Sequence, residues 1–208
     1  MKVGPSPTGW SSVCAIGQRS INNIVDVTNY VLFELGQPLH TFDFDTLDAE
    51  DGRVRVIVRG AEEGEKFTTL DGAERELTSD MTVIATPKRA VALAGVMGGL
   101  DSEVTDSTVN VLLETASFEP GRTSRTSRNL GLISESSLRY ERRVDDAGID
   151  ARADYAASLI AEVSGGTVRQ GAVDVWPARN DEPRMLEFRI ERFQKMMGPP
   201  SRPISRTA

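Results

Sequence analysis

Apolar residues recur at helical spacing in two stretches and as compact runs in several others. Over 21–35, INNIVDVTNYVLFEL, a rotation of about 100° per residue puts Ile21, Ile24, Val25, Val31, Leu32 and Leu35 on one face. Asn22, Asn23, Asp26, Tyr30 and Glu34 fall opposite, and Gly36 is placed to cap the end. Thr28 lies near the middle of the apolar face, where it either bonds back to the carbonyl of Ile24 or lines a pocket. A second helix is predicted over 150–164, with Ala153, Ala156, Leu159, Ile160 and Val163 as its stripe and Gly165-Gly166 as its stop. A third runs over 119–130, with Pro120 in its first turn and Gly131 beyond its end.

The strand pattern is shorter and more frequent. Residues 53–59 (RVRVIVR), 81–86 (MTVIAT) and 90–94 (AVALA) read as strands, and Asp71-Gly72 reads as a turn between FTTL and AEREL. GVMGG at 95–99 is a glycine-rich turn. Residues 109–113 are apolar except for Asn110, which predicts a strand buried on both faces and ending at Glu114. Residues 36–48 are expected as loop, 1–20 as an irregular lead-in and 167–175 as a strand or hairpin. After Trp176-Pro177 the composition changes: ARNDEPR reads as a linker, LEFRI and ERFQKMMG as a strand and short helix, and PPSRPISRTA as a loose end. The order of elements shows no simple βαβ alternation, so the expected class is α+β, with mixed or antiparallel sheets and packed helices. A boundary is expected near residue 178, separating 1–178 from 179–208.

Composition narrows the function classes. Of 208 residues, 39 % are hydrophobic and 26 % charged, a balance that supports a packed core. Cys14 is the sole cysteine and His40 the sole histidine, too few for an internal disulfide or a Cys/His metal cluster. No apolar run reaches the ~18 residues of a membrane span, and no signal-peptide pattern opens the chain, so a cytoplasmic setting is expected. The net charge is −7, unusual for a free-standing nucleic-acid binder. It is distributed unevenly, however: residues 119–143 hold six arginines against three acids. Arg125, Arg128, Arg139, Arg142 and Arg143 either meet phosphate or pair with Glu119, Glu135 and Glu141 on local helix faces.

Three long stretches, in order, carry a family resemblance. INNIVDVTNYVLFELGQPLHTFD (21–43), AGVMGGLDSEVTDSTVNVLLETASF (94–118) and RTSRNLGLISESSLRYERRVD (125–145) resemble the phenylalanyl-tRNA synthetase beta chain, and with their spacing the match covers about residues 15–177. The tail from about 184 is similar to the opening of that chain's next module. The resemblance implies an excised editing module, residues 1–178, made of two interlocked halves, followed by a linker and the truncated start of the next module. It implies hydrolysis of the ester of mischarged Tyr-tRNA(Phe), with no aminoacylation by this piece alone. The alternative is a non-catalytic tRNA-binding or structural module with a decayed pocket.

The implied pocket positions are Arg19, Thr28, Asn29, Pro38, His40, Gly98, Glu114, Ser134 and Ser136. Glu114 would read the tyrosine hydroxyl, and His40 would stand near the scissile ester. The implied partners are the acceptor end of tRNA(Phe), the synthetase alpha chain and the remaining beta-chain modules, with no membrane. The resemblance implies no cofactor in this piece, ATP and Mg being used elsewhere in the whole synthetase. The chain departs from the family's pattern at Ser136, usually alanine, at Ser134, usually threonine, at Thr41 within HTFD, and at Arg143, usually glycine; the first eighteen residues match poorly.

The chemistry is intelligible without the family. Tyrosine and phenylalanine differ by one hydroxyl, and an apolar pocket rejects an added hydroxyl only about a hundredfold. A second site that selects the hydroxyl needs a buried acceptor, and a carboxylate on a buried strand supplies one.

Overall fold

The computed structural model describes residues 1–7, 11–177 and 185–198. ARNDEPR and PPSRPISRTA, the expected linker and loose end, lie outside the described residues, as does part of the lead-in. Two compact units divide between residues 169 and 170, Met1–Arg169 and Gln170–Ala208.

The first unit is organised by two helices. After a five-residue helix α1 (Ser11–Ala15), helix α2 (Asn23–Leu35) starts at Asn22, whose side chain accepts from the amides of Ile24 and Val25. It stops at Gly36, in the left-handed region at φ 70. This is the side-chain cap and glycine stop that free helix ends require. Helix α5 (Ile149–Ser164) ends in the same way at Gly165. Ile24, Val27 and Val31 of α2 pack against Ala156 and Ile160 of α5, with Val3 and Val104 beside them.

The buried face of α2 is rotated from the predicted one. Ile21 is 63 % exposed and Leu35 40 %, whereas Asn22, Asn23 and Asp26 are buried. The reason is hydrogen bonding to the lead-in. Asn23 Nδ2 donates to the carbonyls of Lys2 and Val163, and its Oδ1 accepts from Gly4 N. Asp26 accepts from Ser6 Oγ at 2.5 Å, from Ser20 Oγ and from Ile21 N at 2.9 Å. Polar residues with complete partners can occupy a buried face, and hydrophobic periodicity does not detect them.

The predicted loop 36–48 contains a strand, β1 (Leu39–Asp43), whose partner 72 positions later was not visible locally. β1 pairs antiparallel with β10 (Val111–Thr115), His40 opposite Glu114 and Phe42 opposite Leu112. Between them in the chain come the small hairpin β2–β3 (Ala49–Glu50, Arg53–Val54) and β4 (Ile57–Gly60). The hairpin β5–β6 (Lys66–Thr68, Glu74–Glu76) closes through Asp71-Gly72 as predicted, Gly72 at φ 78. β7 (Thr82–Ala85), β8 (Ala90–Leu93) and β9 (Met97–Gly98) join β4 in an antiparallel sheet of order β4-β7-β8-β9.

This sheet is covered on both sides. Val83, Ala85, Ala90 and Leu93 face a core with Phe67, Leu77, Met81 and Leu132. Ile84 and Ala92 face Phe42, Leu112 and Phe118. The β1–β10 ribbon is likewise a layer: Leu39, Val111 and Leu113 meet the helices, while Phe42 and Leu112 meet the sheet. The strand expected to be buried on both faces is so only in part: Val111, Leu112 and Leu113 pack against the two layers but are half-buried, and Val109 is 55 % exposed and outside the strand. Two helices close the unit, α3 (Pro120–Asn129), capped by the Glu119 carboxylate, and the unpredicted α4 (Glu135–Tyr140). The architecture is α+β, as the sequence pattern implied.

In the second unit, no strand forms among described residues of 170–177 or over Met185–Arg189, against the expectation for 167–175 and LEFRI. Helix α6 (Ile190–Met197) does form, and Phe188 and Phe193 stack with ring centroids 5.4 Å apart.

Candidate active site

Strand alternation decides what the ribbon presents to the sheet. His40 and Phe42 share one face of β1, and Leu112 and Glu114 the matching face of β10. The two apolar residues fill the layer between ribbon and sheet, and the two titratable ones extend the same face toward its edge. There they line a cleft with Pro38 and Leu39, with Ile84, Ala92 and Leu93 of the sheet, with Gly95–Gly98, and with Ser136 and Tyr140 of α4. Its volume is about 60 Å3, with one side open to solvent.

The imidazole is tightly held. It meets Phe42 edge-on at 4.5 Å between centroids. A Cβ built on Gly98 would lie 2.7 Å from His40 Nε2, so only glycine lets β9 approach the ring this closely. Gly98 and Gly99 both lie outside the left-handed region; close approach, not positive φ, accounts for each. Gly95 does have positive φ, at 71. His40 Nε2 is buried without a hydrogen-bond partner. Burial lowers the imidazole from its ordinary 6.5 to about 4, which keeps it neutral at pH 7.

Glu114 faces the opposite consequence of the same cause. Burial raises its carboxyl from 4.5 to about 7. No cation pairs with it among the described residues. Its charge acts on Tyr140, whose phenol is raised by burial and then by Glu114. Its hydroxyl donates to the Pro38 carbonyl at 3.2 Å. Gln37, fully buried, donates to the same carbonyl and to that of Ala116, both at 3.0 Å, tying the start of β1 to the end of β10.

Five of the nine sequence-implied positions meet here: Pro38, His40, Gly98, Glu114 and Ser136. Ser134 stands one step behind. It caps α4 through Ser137 N and donates to the carbonyl of Val96, a residue of the cleft wall. Arg19, Thr28 and Asn29 are not part of the lining. Arg19 is exposed, Asn29 half-buried, and Thr28 donates to the Val25 carbonyl at 2.7 Å, one residue from the back-bond considered. Tyr140 was missed by the sequence reading. Its signal was weak: an aromatic four residues after Ser136 shares that residue's helix face, but the helix itself was not predicted. Among the described residues no group of His, Cys, Asp and Glu has the arrangement of a metal site.

The structure is an α+β unit in which an unpartnered imidazole and a carboxyl without an ion pair share one rung of a ribbon and face one cleft. Residues 2–165 match the B3/4 domain, and the chain belongs to that family. It is 50 % identical over 199 residues to the phenylalanine–tRNA ligase beta subunit of Moorella thermoacetica. It is 48 % identical over 198 residues to that of Geobacter sulfurreducens and 50 % over 200 residues to that of Halalkalibacterium halodurans. These alignments cover 94–95 % of this chain and 24 % of each relative, so the chain spans about a quarter of their length.

Proposed function

We propose that this domain hydrolyses the aminoacyl ester of tyrosine mistakenly attached to tRNA(Phe), acting within a phenylalanyl-tRNA synthetase whose alpha chain and other beta-chain modules complete it. The observation that carries the reading is the single rung at which His40 and Glu114 face one cleft, His40 with its Nε2 buried and unpartnered and Glu114 with no ion-pair partner among the described residues. Relatives with that ligase name cover nearly the whole chain.

The roles follow from the protonation states. A phenol hydroxyl donates to the Glu114 carboxylate, which regains the hydrogen bond that burial removed. A phenyl ring offers no donor and leaves the carboxyl buried without a partner, a penalty of about 1–3 kcal/mol. Neutral His40 presents Nε2 as donor or acceptor to a water or to the terminal ribose, and so acts by orientation. An aminoacyl ester is already activated, so an oriented water and a polarised carbonyl suffice and no protein nucleophile is required. Ser136 at the rim adds a hydroxyl to the lining.

The cleft volume of about 60 Å3 is a few waters' worth of space, which favours a second reading, a non-catalytic tRNA-binding module. One experiment separates the two. Deacylation of Tyr-tRNA(Phe) and Phe-tRNA(Phe) is followed with the wild-type chain and with Glu114→Ala at high protein concentration. Editing predicts tyrosine release at least tenfold faster than phenylalanine release, with that preference lost in the variant. Equal, uncatalysed rates in both proteins, repeated within the complete synthetase, would leave the second reading.

A further inference from the structure

The chain is acidic overall, with net charge −7, yet one surface is not. Helix α3 buries Thr123, Thr126 and Ser127 and exposes Arg122, Arg125 and Arg128. At 1.5 Å per residue the three arginines span about 9 Å along the helix. None of them forms an ion pair among the described residues. Of the carboxylates close by, Glu119 accepts from Gly121 N at 2.9 Å and Arg122 N at 2.6 Å as the helix cap, and its carboxyl is lowered first by those amides and then by the charges of Arg125 and Arg122. The other two acids of the region are also engaged. Glu135 holds Arg139 at 2.7 Å, and Glu141 pairs with Arg142 at 3.4 Å and accepts from Ser124 Oγ at 3.3 Å.

That last contact joins the end of α4 to α3 between Arg122 and Arg125, so Arg142 and Arg143, both exposed, continue the same patch. The surface therefore backs directly onto the helix that gives Ser136 and Tyr140 to the cleft. Arg122, Arg125 and Arg128, which form no ion pair among the described residues, stand on a rigid element beside a cleft and are suited to polyanion binding, since a guanidinium fork matches phosphate oxygens; Arg142 is held by Glu141 at 3.4 Å.

We propose that Arg122, Arg125 and Arg128, continued by Arg142 and Arg143, form a phosphate-binding surface for the RNA strand whose aminoacylated 3′ end enters the cleft. The inference rests on the editing reading for the identity of the strand, but its own content is electrostatic. Each phosphate neutralised releases counterions, giving a slope of log affinity against log salt of about −0.7 to −0.9 per contact.

The test measures binding of uncharged tRNA(Phe) to the whole chain from 50 to 200 mM KCl, a range over which about three contacts change affinity measurably. Each of Arg122→Ala, Arg125→Ala and Arg128→Ala is expected to flatten the slope by about 0.7–0.9, and the triple variant by about 2–3. Arg-to-Lys replacement at all three retains most of the slope, because charge is kept. Arg53→Ala with Arg55→Ala, also exposed arginines, leaves it unchanged. Thermal melting establishes that each variant is folded. A triple variant with the wild-type slope, or a wild-type chain with no salt-dependent binding, overturns the proposal. Hydrolysis of a tyrosyl ester of adenosine by the wild-type chain tests the editing reading separately. A flattened slope without such hydrolysis, in this chain and in the complete synthetase alike, would strike that reading and leave the phosphate surface standing.

Discussion

Two groups of polar residues that the first unit draws away from solvent, one buried and one half-buried, have opposite fates. At the start of α2, Asn22, Asn23 and Asp26 are buried and their side chains take up amides, hydroxyls and carbonyls from the lead-in, from α2 itself and from the end of α5. On the ribbon, His40 and Glu114 are half-buried and face a cleft, His40 Nε2 is buried without a partner, and desolvation lowers the imidazole and raises the carboxyl. The first group holds segments together: Asn22 caps its own helix, while Asn23 and the Ser6 bond of Asp26 join α2 to the lead-in and to the end of α5. The second keeps an unsatisfied capacity that only a ligand or water can meet, which is what a binding site needs and a core avoids.

The largest effect that separates them is on stability. Asp26→Ala removes three accepted hydrogen bonds and strands Ser6, Ser20 and Ile21 N in a partly buried setting. The expected loss is about 3 kcal/mol, which for a domain of this size lowers Tm by roughly 6–12 °C. Glu114→Ala is expected to cost far less, since it removes a desolvated group with no partner. Calorimetric scans of the two variants side by side check this. A Glu114→Ala protein as unstable as Asp26→Ala would mean that the ribbon carboxyl is structural and the comparison is false.

Next in size is the pH dependence of stability, where the cleft pair predicts two opposed slopes. Glu114 binds its proton more tightly folded, at about 7, than unfolded, at 4.5. Its contribution is therefore fully present below 4.5 and is lost as pH rises to about 7. His40 binds its proton less tightly folded, at about 4, than unfolded, at 6.5. Its burial favours folding less and less as pH falls from 6.5 to about 4, so stability rises with pH across that interval. Each slope is worth at most about 3 kcal/mol, and in the wild type they largely cancel between 4.5 and 6.5. Glu114→Gln should unmask a rise in stability with pH, and His40→Gln a fall, read by urea unfolding at fixed pH steps. Parallel profiles in both variants would show that neither group is desolvated as described.

The two groups also differ in how far the sequence revealed them. The capped ends of α2 and α5, the Asp71-Gly72 hairpin and the paired apolar runs of β7 and β8 were legible because each rests on residues within a few positions of one another. β1 was not, because LHTFD is a strand only by virtue of a partner 72 residues on. Asn23 and Asp26 were read as surface for the same reason: their partners lie at Lys2, Gly4, Ser6 and Val163, which no helical period can point to. Family likeness bridged part of that distance and placed His40, Glu114, Pro38, Gly98 and Ser136 in one site. It did not distinguish them from Thr28, whose hydroxyl is occupied by its own helix. Tyr140 and Gln37, which hold the Pro38 carbonyl from two sides, emerged only from packing.

The smallest effect concerns the helix that closes the cleft. Three residues beyond the end of α4, Arg143 adopts φ 72, a left-handed conformation that costs a residue with a Cβ about 1 kcal/mol and glycine almost nothing. Its amide donates to the Tyr140 carbonyl at 3.1 Å, so the turn is fixed to the residue that anchors Pro38. Arg143→Gly relieves the backbone strain but also frees the unfolded chain, so the net gain is a fraction of 1 kcal/mol, or about 1–3 °C in Tm. The same substitution removes one positive charge from the proposed phosphate surface. If the strain is merely local, the variant melts higher and its Tyr/Phe preference is unchanged, with tRNA affinity slightly more tolerant of salt. A variant that melts higher yet loses tyrosine preference would show that the strained turn sets the position of α4 over the cleft, and that stability has been given up there to hold the site open.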